Sequence, residues 1–198
     1  MNDKIKKTKN KNIADFSLVK ESKKPKKKKL KKVEFYILLV ATALVFGFAF
    51  VSFMYQTVTV IGPSMEGTLD DGDEVVISKL RKFFSVKVDD IVAIKKPDSD
   101  YYSIKRIVAE PGDTVYISGG KLYVNDELQE RFAEKIIINS GAAGSKIKLE
   151  QNQYFVLGDN VNSSDDSRFN NLSIVQKTDI KGIVIYRLSP KDKRGKVK

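Results

Sequence analysis

From Phe35 to Met54 the chain runs for twenty residues without a charge, inside the stretch VEFYILLVATALVFGFAFVSFMY of residues 33–55. A helix of that length rises about 30 Å, the thickness of a bilayer's hydrocarbon core. A helix built for the core of a soluble protein would carry a polar stripe, and this one is apolar on every face. A cleaved export signal would have a shorter apolar stretch followed by a small-x-small site, whereas SFMYQTV follows here. Residues 33–55 therefore read as one uncleaved transmembrane anchor helix. One membrane span divides everything else into two sides.

Charge supplies the orientation. Residues 1–32 hold fourteen lysines against Asp3, Asp15 and Glu21, a net of +11 that accounts for the whole formal charge of the chain. The 22 basic and 22 acidic residues of the remainder cancel. A basic globular face is therefore absent, and nucleic acid is not an expected partner. The run KKPKKKKLKK (23–32) abuts the span, so the N-terminus is expected to be cytoplasmic and residues 56–198 extracytoplasmic, in a single-pass protein of the cell membrane. The lysine-rich tail, poor in apolar residues, is expected to be disordered and to lie near anionic lipid heads.

Beyond the span, short segments rich in β-branched and aromatic residues recur: QTVTVI (56–61), EVVISKL (74–80), DIVAIKK (90–96), YSIKRIV (102–108), TVYIS (114–118), KLYVN (121–125), YFVLG (154–158) and GIVIYRL (182–188). They predict a mainly β domain, with a hairpin at Gly119-Gly120. ELQERFAEK (127–135) is the best candidate for a short helix, and INSGAAGSK (138–146) reads as a flexible loop.

The chemistry is narrowed by what is missing. The chain has no cysteine and no histidine, so disulfides, a cysteine nucleophile, an imidazole base and a Cys/His zinc site are all excluded. No metal and no organic cofactor is expected. Ser64, in the turn-rich GPSMEGTL of residues 62–69, is a candidate nucleophile if another base is present. A buried neutral lysine can serve. Lys105 sits in an apolar strand, with Arg106 on the opposite face; one of the two cations should point inward, and alternation alone does not say which. The Ser-x-x-Lys matches SLVK (17–20), SGGK (118–121) and SKIK (145–148) carry little weight in a chain so rich in lysine.

In this order and at roughly this spacing, GPSMEGTLDDGD, DDIVAIKKP, YSIKRIVAEPGDTV and GDNVNSSDDSR resemble the boxes of type I signal peptidases, in the short single-span form of Gram-positive bacteria. The resemblance covers the anchor and most of residues 56–188. It implies a signal-peptidase-like antiparallel β catalytic domain with a small second lobe, placed at residues 114–153. The implied activity is that of a membrane-bound serine endopeptidase removing N-terminal signal peptides from secreted preproteins at small-x-small sites. Ser64 would be the nucleophile, its backbone N–H an oxyanion donor, and neutral Lys105 the general base. Ser164 would hydrogen-bond and orient the lysine, Asp166 and Arg168 would pair beside it, and Asp159 belongs to the supporting GDN segment. Val58, Val60, Met65, Leu69 and Ile104 would form the apolar substrate pocket, and enlarging Val60 should fill that pocket without harm to the fold. Arg106→Lys would be the neutral control for changes at Lys105. Two departures from the family pattern stand out. Gly62 replaces a serine that helps hold the oxyanion in some members, and Gly67 replaces a usual proline, which implies a looser turn. Two readings compete: a self-cleaving repressor-type serine–lysine protease, which fits poorly because the N-terminus is spent on an anchor and not a DNA-binding domain, and a membrane-tethered β module that only binds a peptide or wall component.

If the charge rule holds, protease added to intact spheroplasts should digest residues 56–198 and spare the lysine tail. Protection of the β region would overturn the orientation.

Overall fold

A computed structural model describes residues 27–80, 86–97 and 100–197. The first element, α1 (Lys27–Met54), is exposed on all sides from Lys31 to Phe53. Its portion Lys31–Met54 is long and apolar enough to cross a membrane. The helix begins before the apolar run, so Lys27–Lys32, grouped above with a disordered tail, are helical instead. Lysine is a good helix former, and no glycine or proline follows Pro25 until Gly47. Residues 1–26 lie outside the described residues. The chain up to Ala49 and the chain from Phe50 onward form separate compact units.

Among the described residues twelve short strands follow, and all their pairings are antiparallel. The larger sheet runs β1 (Tyr55–Thr59), β2 (Glu74–Ser78), β11 (Ile180–Ser189), β3 (Ile91–Ile94), β4 (Ser103–Ala109), β9 (Gln153–Leu157), β10 (Val175–Gln176), with β12 (Gly195–Lys196) also on β11. It curls until Gln56 Nε2 on β1 donates to the hydroxyl of Tyr102, beside β4, at 3.2 Å. A second sheet orders β7 (Glu127–Leu128), β6 (Lys121–Val124), β5 (Thr114–Ser118), β8 (Ile147–Lys148).

Both faces of the curled sheet are covered, and the strand period sorts the side chains between them. On β3, Ile91 and Ala93 join Val58, Val60, Met65, Leu69, Ile77 and Ile104 in one buried cluster. Val92 and Ile94 join Ile107, Val156, Ile180 and Ile183 in another. A third cluster, including Val115, Leu122, Phe132, Phe155 and Leu157, joins residues of the second sheet to β4 and β9. Each predicted strand is present within a few residues.

The β5–β6 connection is the expected two-residue hairpin, with Gly119 and Gly120 at φ 57° and 73°. Residues 127–135 form no α-helix. Asn125 and Asp126, at φ 54° and 67°, make a second tight turn that returns Glu127 and Leu128 as a strand on β6, and only Glu130–Phe132 coil into a 3-10 turn. Turn chemistry outweighs the helix-forming composition here. Residues 138–146 are likewise built rather than open: Gly141–Gly144 form a 3-10 turn, Ala143 is buried, and the Ala142 N–H donates to the Arg168 carbonyl at 2.9 Å.

Val60, at 1 % exposure, stands among the core side chains. Contrary to the sequence expectation, Val60→Phe should overpack the fold, lowering the unfolding free energy by about 1–3 kcal/mol in a denaturant titration.

Candidate active site

A 3-10 turn, Pro63–Met65, carries Ser64 away from the end of β1. Entry into the turn requires Gly62 at φ 83°, ψ 172°, a region that only glycine visits readily. The Gly62 N–H donates to Asp71 Oδ1 at 2.7 Å, which pins the entry. Gly67 sits at φ 95°, a backbone that proline, fixed near −65°, cannot adopt. The turn is thus a different conformation from one containing proline, rather than a loosened copy of it.

The GDN segment closes directly onto this turn. The Asn160 N–H donates to the Ser64 carbonyl at 3.0 Å. A Cβ on Gly158 would stand 2.3 Å from that same carbonyl oxygen and 2.4 Å from Ser164 Oγ, so only glycine fits.

Lys105 reaches the turn from β4. Its Nζ lies 2.8 Å from Ser64 Oγ and donates to the Ile104 carbonyl at 3.1 Å. The side chain is nearly buried, at 5 % exposure. Burial lowers the amine to about 8, while the carboxylates of Asp166 and Asp165 push it back toward the charged form. A lysine amine in this state, in contact with a hydroxyl, can accept a proton in the neutral pH range.

The neighbouring residues differ in part from expectation. Ser164 Oγ is buried and has no hydrogen-bond partner. The bond expected between it and Lys105 is not made; the amine contacts Ser64 and the Ile104 carbonyl instead. Asp166 and Arg168 do pair, with Arg168 Nε 2.8 Å from Oδ1 and Nη2 2.9 Å from Oδ2. Arg168 also donates to the carbonyls of Asn139 and Val161, and Asp166 accepts from the Gly158 N–H, so the pair staples the 158–168 loop.

Asp159 belongs to a different pair. Arg106 Nε and Nη2 contact its two oxygens at 2.8 and 2.7 Å, the Thr68 hydroxyl donates to Oδ2, and Arg106 Nη1 donates to the Asp89 carbonyl at 2.8 Å. Burial works against the Asp159 charge, but the hydrogen bonds from Arg106 and Thr68 outweigh it and hold the carboxyl below its ordinary range. Both cations of β4 therefore point inward, and Arg106 has no exposed surface at all. Alternation could not choose between them, because both faces of β4 are covered. Arg106→Lys is no neutral control: it would exchange a buried fork for a single-point contact. Neither Arg106 nor Thr68 was among the expected site residues. The available signal was their position, one adjoining Lys105 and the other inside the SMEGTL box.

A cavity of about 480 Å³ opens at Ser64 and Lys105, walled by Ile61, Gly62, Tyr101, Tyr102, Ser103 and Asp165 among others. None of the five expected pocket residues lines it. Val58, Val60, Met65, Leu69 and Ile104 all belong to the buried cluster inside the curl. The alternation of β1 and its extension turns Val58 and Val60 inward and leaves Ile61 61 % exposed at the cavity. Among the described residues no group of three or more His, Cys, Asp or Glu side chains could hold a metal ion.

Removal of the buried amine has a consequence for stability. Lys105 has a lower pKa folded than unfolded, so the folded state is penalised wherever the amine must be protonated. The penalty is complete below about pH 8 and vanishes above about pH 10.5. Lys105→Met should therefore raise the unfolding free energy at pH 7, by on the order of 3 kcal/mol before lost hydrogen bonds are counted. The difference should shrink as pH climbs from 8 to 10.5, and chemical denaturation across that range would measure it.

Comparison with known proteins gives one consistent answer. The profile of the family described as signal peptidase, peptidase S26, matches residues 33–188. Signal peptidase I P of Bacillus subtilis subsp. natto is 31 % identical over 152 residues, covering 72 % of this chain and 81 % of that protein. The chloroplastic thylakoidal processing peptidase 1 of Arabidopsis thaliana is 34 % identical over 164 residues, covering 77 % of this chain and 47 % of its own length. A crystal structure of a signal peptidase I from Enterococcus faecalis is 26 % identical, with a TM-score of 0.41, over 50 % of this chain and 96 % of that one. The extent of the profile match and the identity to the Bacillus protein decide the matter without the structural likeness: the chain belongs to the signal peptidase family, peptidase S26, as a peptidase whose substrates are preproteins bearing signal peptides.

Proposed function

We propose that this signal peptidase works through a serine–lysine dyad, with Ser64 as nucleophile and Lys105 as general base. The observation that carries the reading is the 2.8 Å contact between a nearly buried lysine amine and a serine hydroxyl in a chain without histidine. Neutral Lys105 takes the Ser64 proton as Oγ attacks the carbonyl carbon on the acyl side of the scissile bond. The Ser64 backbone N–H faces the developing oxyanion. Lys105 then passes the proton to the leaving amine, and water, activated by the same amine, releases the acyl half. Asp166–Arg168 and Arg106–Asp159 hold the loops that carry these groups. Ser164, beside Gly158 and without a partner of its own, is the side chain that would steady the amine as it reorients.

The substrate enters as an extended strand beside Ile61 and Gly62, hydrogen-bonded through its main chain. Small side chains are selected at P1 and P3 because Val58, Val60, Met65, Leu69 and Ile104 are already close-packed beneath the surface and leave no room for larger ones. Residues 33–55 would anchor the enzyme with the 1–32 tail in the cytoplasm against anionic lipid, and residues 56–198, with a small lobe at 114–153, would act on the extracytoplasmic face.

Cleavage of a model preprotein should show kcat/KM rising with pH along a limb centred near 8, where Lys105 loses its proton. Ser64→Ala and Lys105→Arg should each lower it by about 1,000-fold or more, the second because a guanidinium stays protonated. Phe at P1 should be cleaved far more slowly than Ala. An active Lys105→Arg enzyme would sink the dyad.

A further inference from the structure

A second cavity, of about 440 Å³, meets the nucleophile turn from its other end. Of the nucleophile turn, Ile61–Ser64 line the first cavity and Glu66 and Gly67 the second, and the two cavities share no lining residue. Its walls are held in place. Asn160 Nδ2 donates to Glu66 Oε2 at 2.9 Å, and Asn162 Nδ2 donates to the Ile136 carbonyl at 2.9 Å. Lys135 Nζ donates to the Asp159 carbonyl. Ile136 presents a large apolar side chain, 67 % exposed, to this space. The Glu66 carboxylate is exposed and leans on a neutral amide, whereas the nearby Asp159 carboxylate is neutralised by Arg106.

A peptide bond cleaved at Ser64 has two halves, and each needs somewhere to lie. The acyl half follows the groove beside Ile61 and Tyr102, where the ends of β1 and β4 face each other. The leaving half must then continue past Met65, toward Glu66. We propose that the second cavity is the subsite for the first residues of the mature chain, and that Glu66 there favours a basic side chain over an acidic one at the second residue after the cleaved bond. In an extended peptide that residue faces the same way as P1, toward the enzyme. Lys135 also lines this cavity but directs its ammonium onto the Asp159 carbonyl, and among the described residues Glu66 makes no ion pair, so its carboxylate is left to discriminate by charge, an effect that salt weakens. Ile136 gives the neighbouring stem an apolar surface to lie on. The inference rests on Ser64 being the nucleophile.

The full-length protein in proteoliposomes, with preproteins carrying Lys, Gln or Glu at that second position, provides the test. A control panel carries the same three residues four positions before the bond. In the unaltered enzyme kcat/KM should fall in the order Lys, Gln, Glu, with at least a fivefold span that narrows at high salt. Glu66→Gln, which can keep the Asn160 hydrogen bond, should flatten the order. Glu66→Lys should reverse it while leaving the control panel's order untouched. A flat order in the unaltered enzyme, an order that the Glu66 changes do not move, or a change confined to the control panel would each overturn the assignment. Ser64→Ala run on the same substrates keeps the two readings apart: cleavage by that variant would remove the dyad itself, whereas a silent variant beside an unmoved order would remove only this subsite.

Discussion

A guanidinium with no exposed surface must find all its compensation inside the protein, and Arg106 draws it from separate parts of the chain. Its fork closes on Asp159 in the GDN loop, its remaining nitrogen reaches the Asp89 carbonyl ahead of β3, and Thr68 from the nucleophile turn shares the same carboxylate. Leaving either partner of such a pair alone in the interior is strongly unfavourable. Strand β4, the turn and the GDN loop are therefore held to one arrangement by a single ionic contact. Lys105 is the next residue along β4, and its amine inherits that placement. Two buried cations side by side in sequence thus differ sharply: one is paired with a carboxylate, the other is left short of compensation, with its pKa lowered to about 8.

The region around Lys105 is arranged to keep that imbalance. Asp166 is close enough to favour the ammonium, but its own charge is taken by Arg168 through two contacts. Asp165, exposed at the cavity rim, acts in the same direction from a more solvated position. Desolvation prevails over both. At pH 7 an amine with a pKa near 8 is neutral in roughly one molecule in ten, more than about two hundred times the fraction for a free lysine.

Much of the fold was legible because period-two alternation and Gly or Asn turns are local signals. The strands on either side of Gly119-Gly120 needed only their own residues to be recognised. Helix α1 was equally plain, though its start at Lys27 was not, because lysines read as a charged tail are also good helix formers. ELQERFAEK misled because its composition favours a helix while Asn125-Asp126 commits it to a hairpin. In the site, the proximity of Ser64 and Lys105 was reached through the order of four sequence boxes. Alternation by itself stalled at Lys105 against Arg106, since a strand covered on both faces offers no outside to tell them apart. The Arg106–Asp159 contact spans 53 residues and the Thr68–Asp159 contact 91, and no local pattern encodes either. The five apolar residues assigned to the substrate pocket were recognised as apolar and inward, but sequence could not separate a pocket wall from the core behind it.

Strand β11 lies between β2 and β3 in the larger sheet, although it is made from residues 180–189. The piece bearing Ser64 ends at β2, and the piece bearing Lys105 begins at β3, so these two halves have no strand pairing with each other until β11 enters between them. Before β11 docks, the hydroxyl and the amine have no continuous sheet between them. Long-range insertion of this kind closes late in folding. The site is therefore completed by a strand that carries none of its reacting groups: closure of the sheet around β11 is what brings the two halves into one framework.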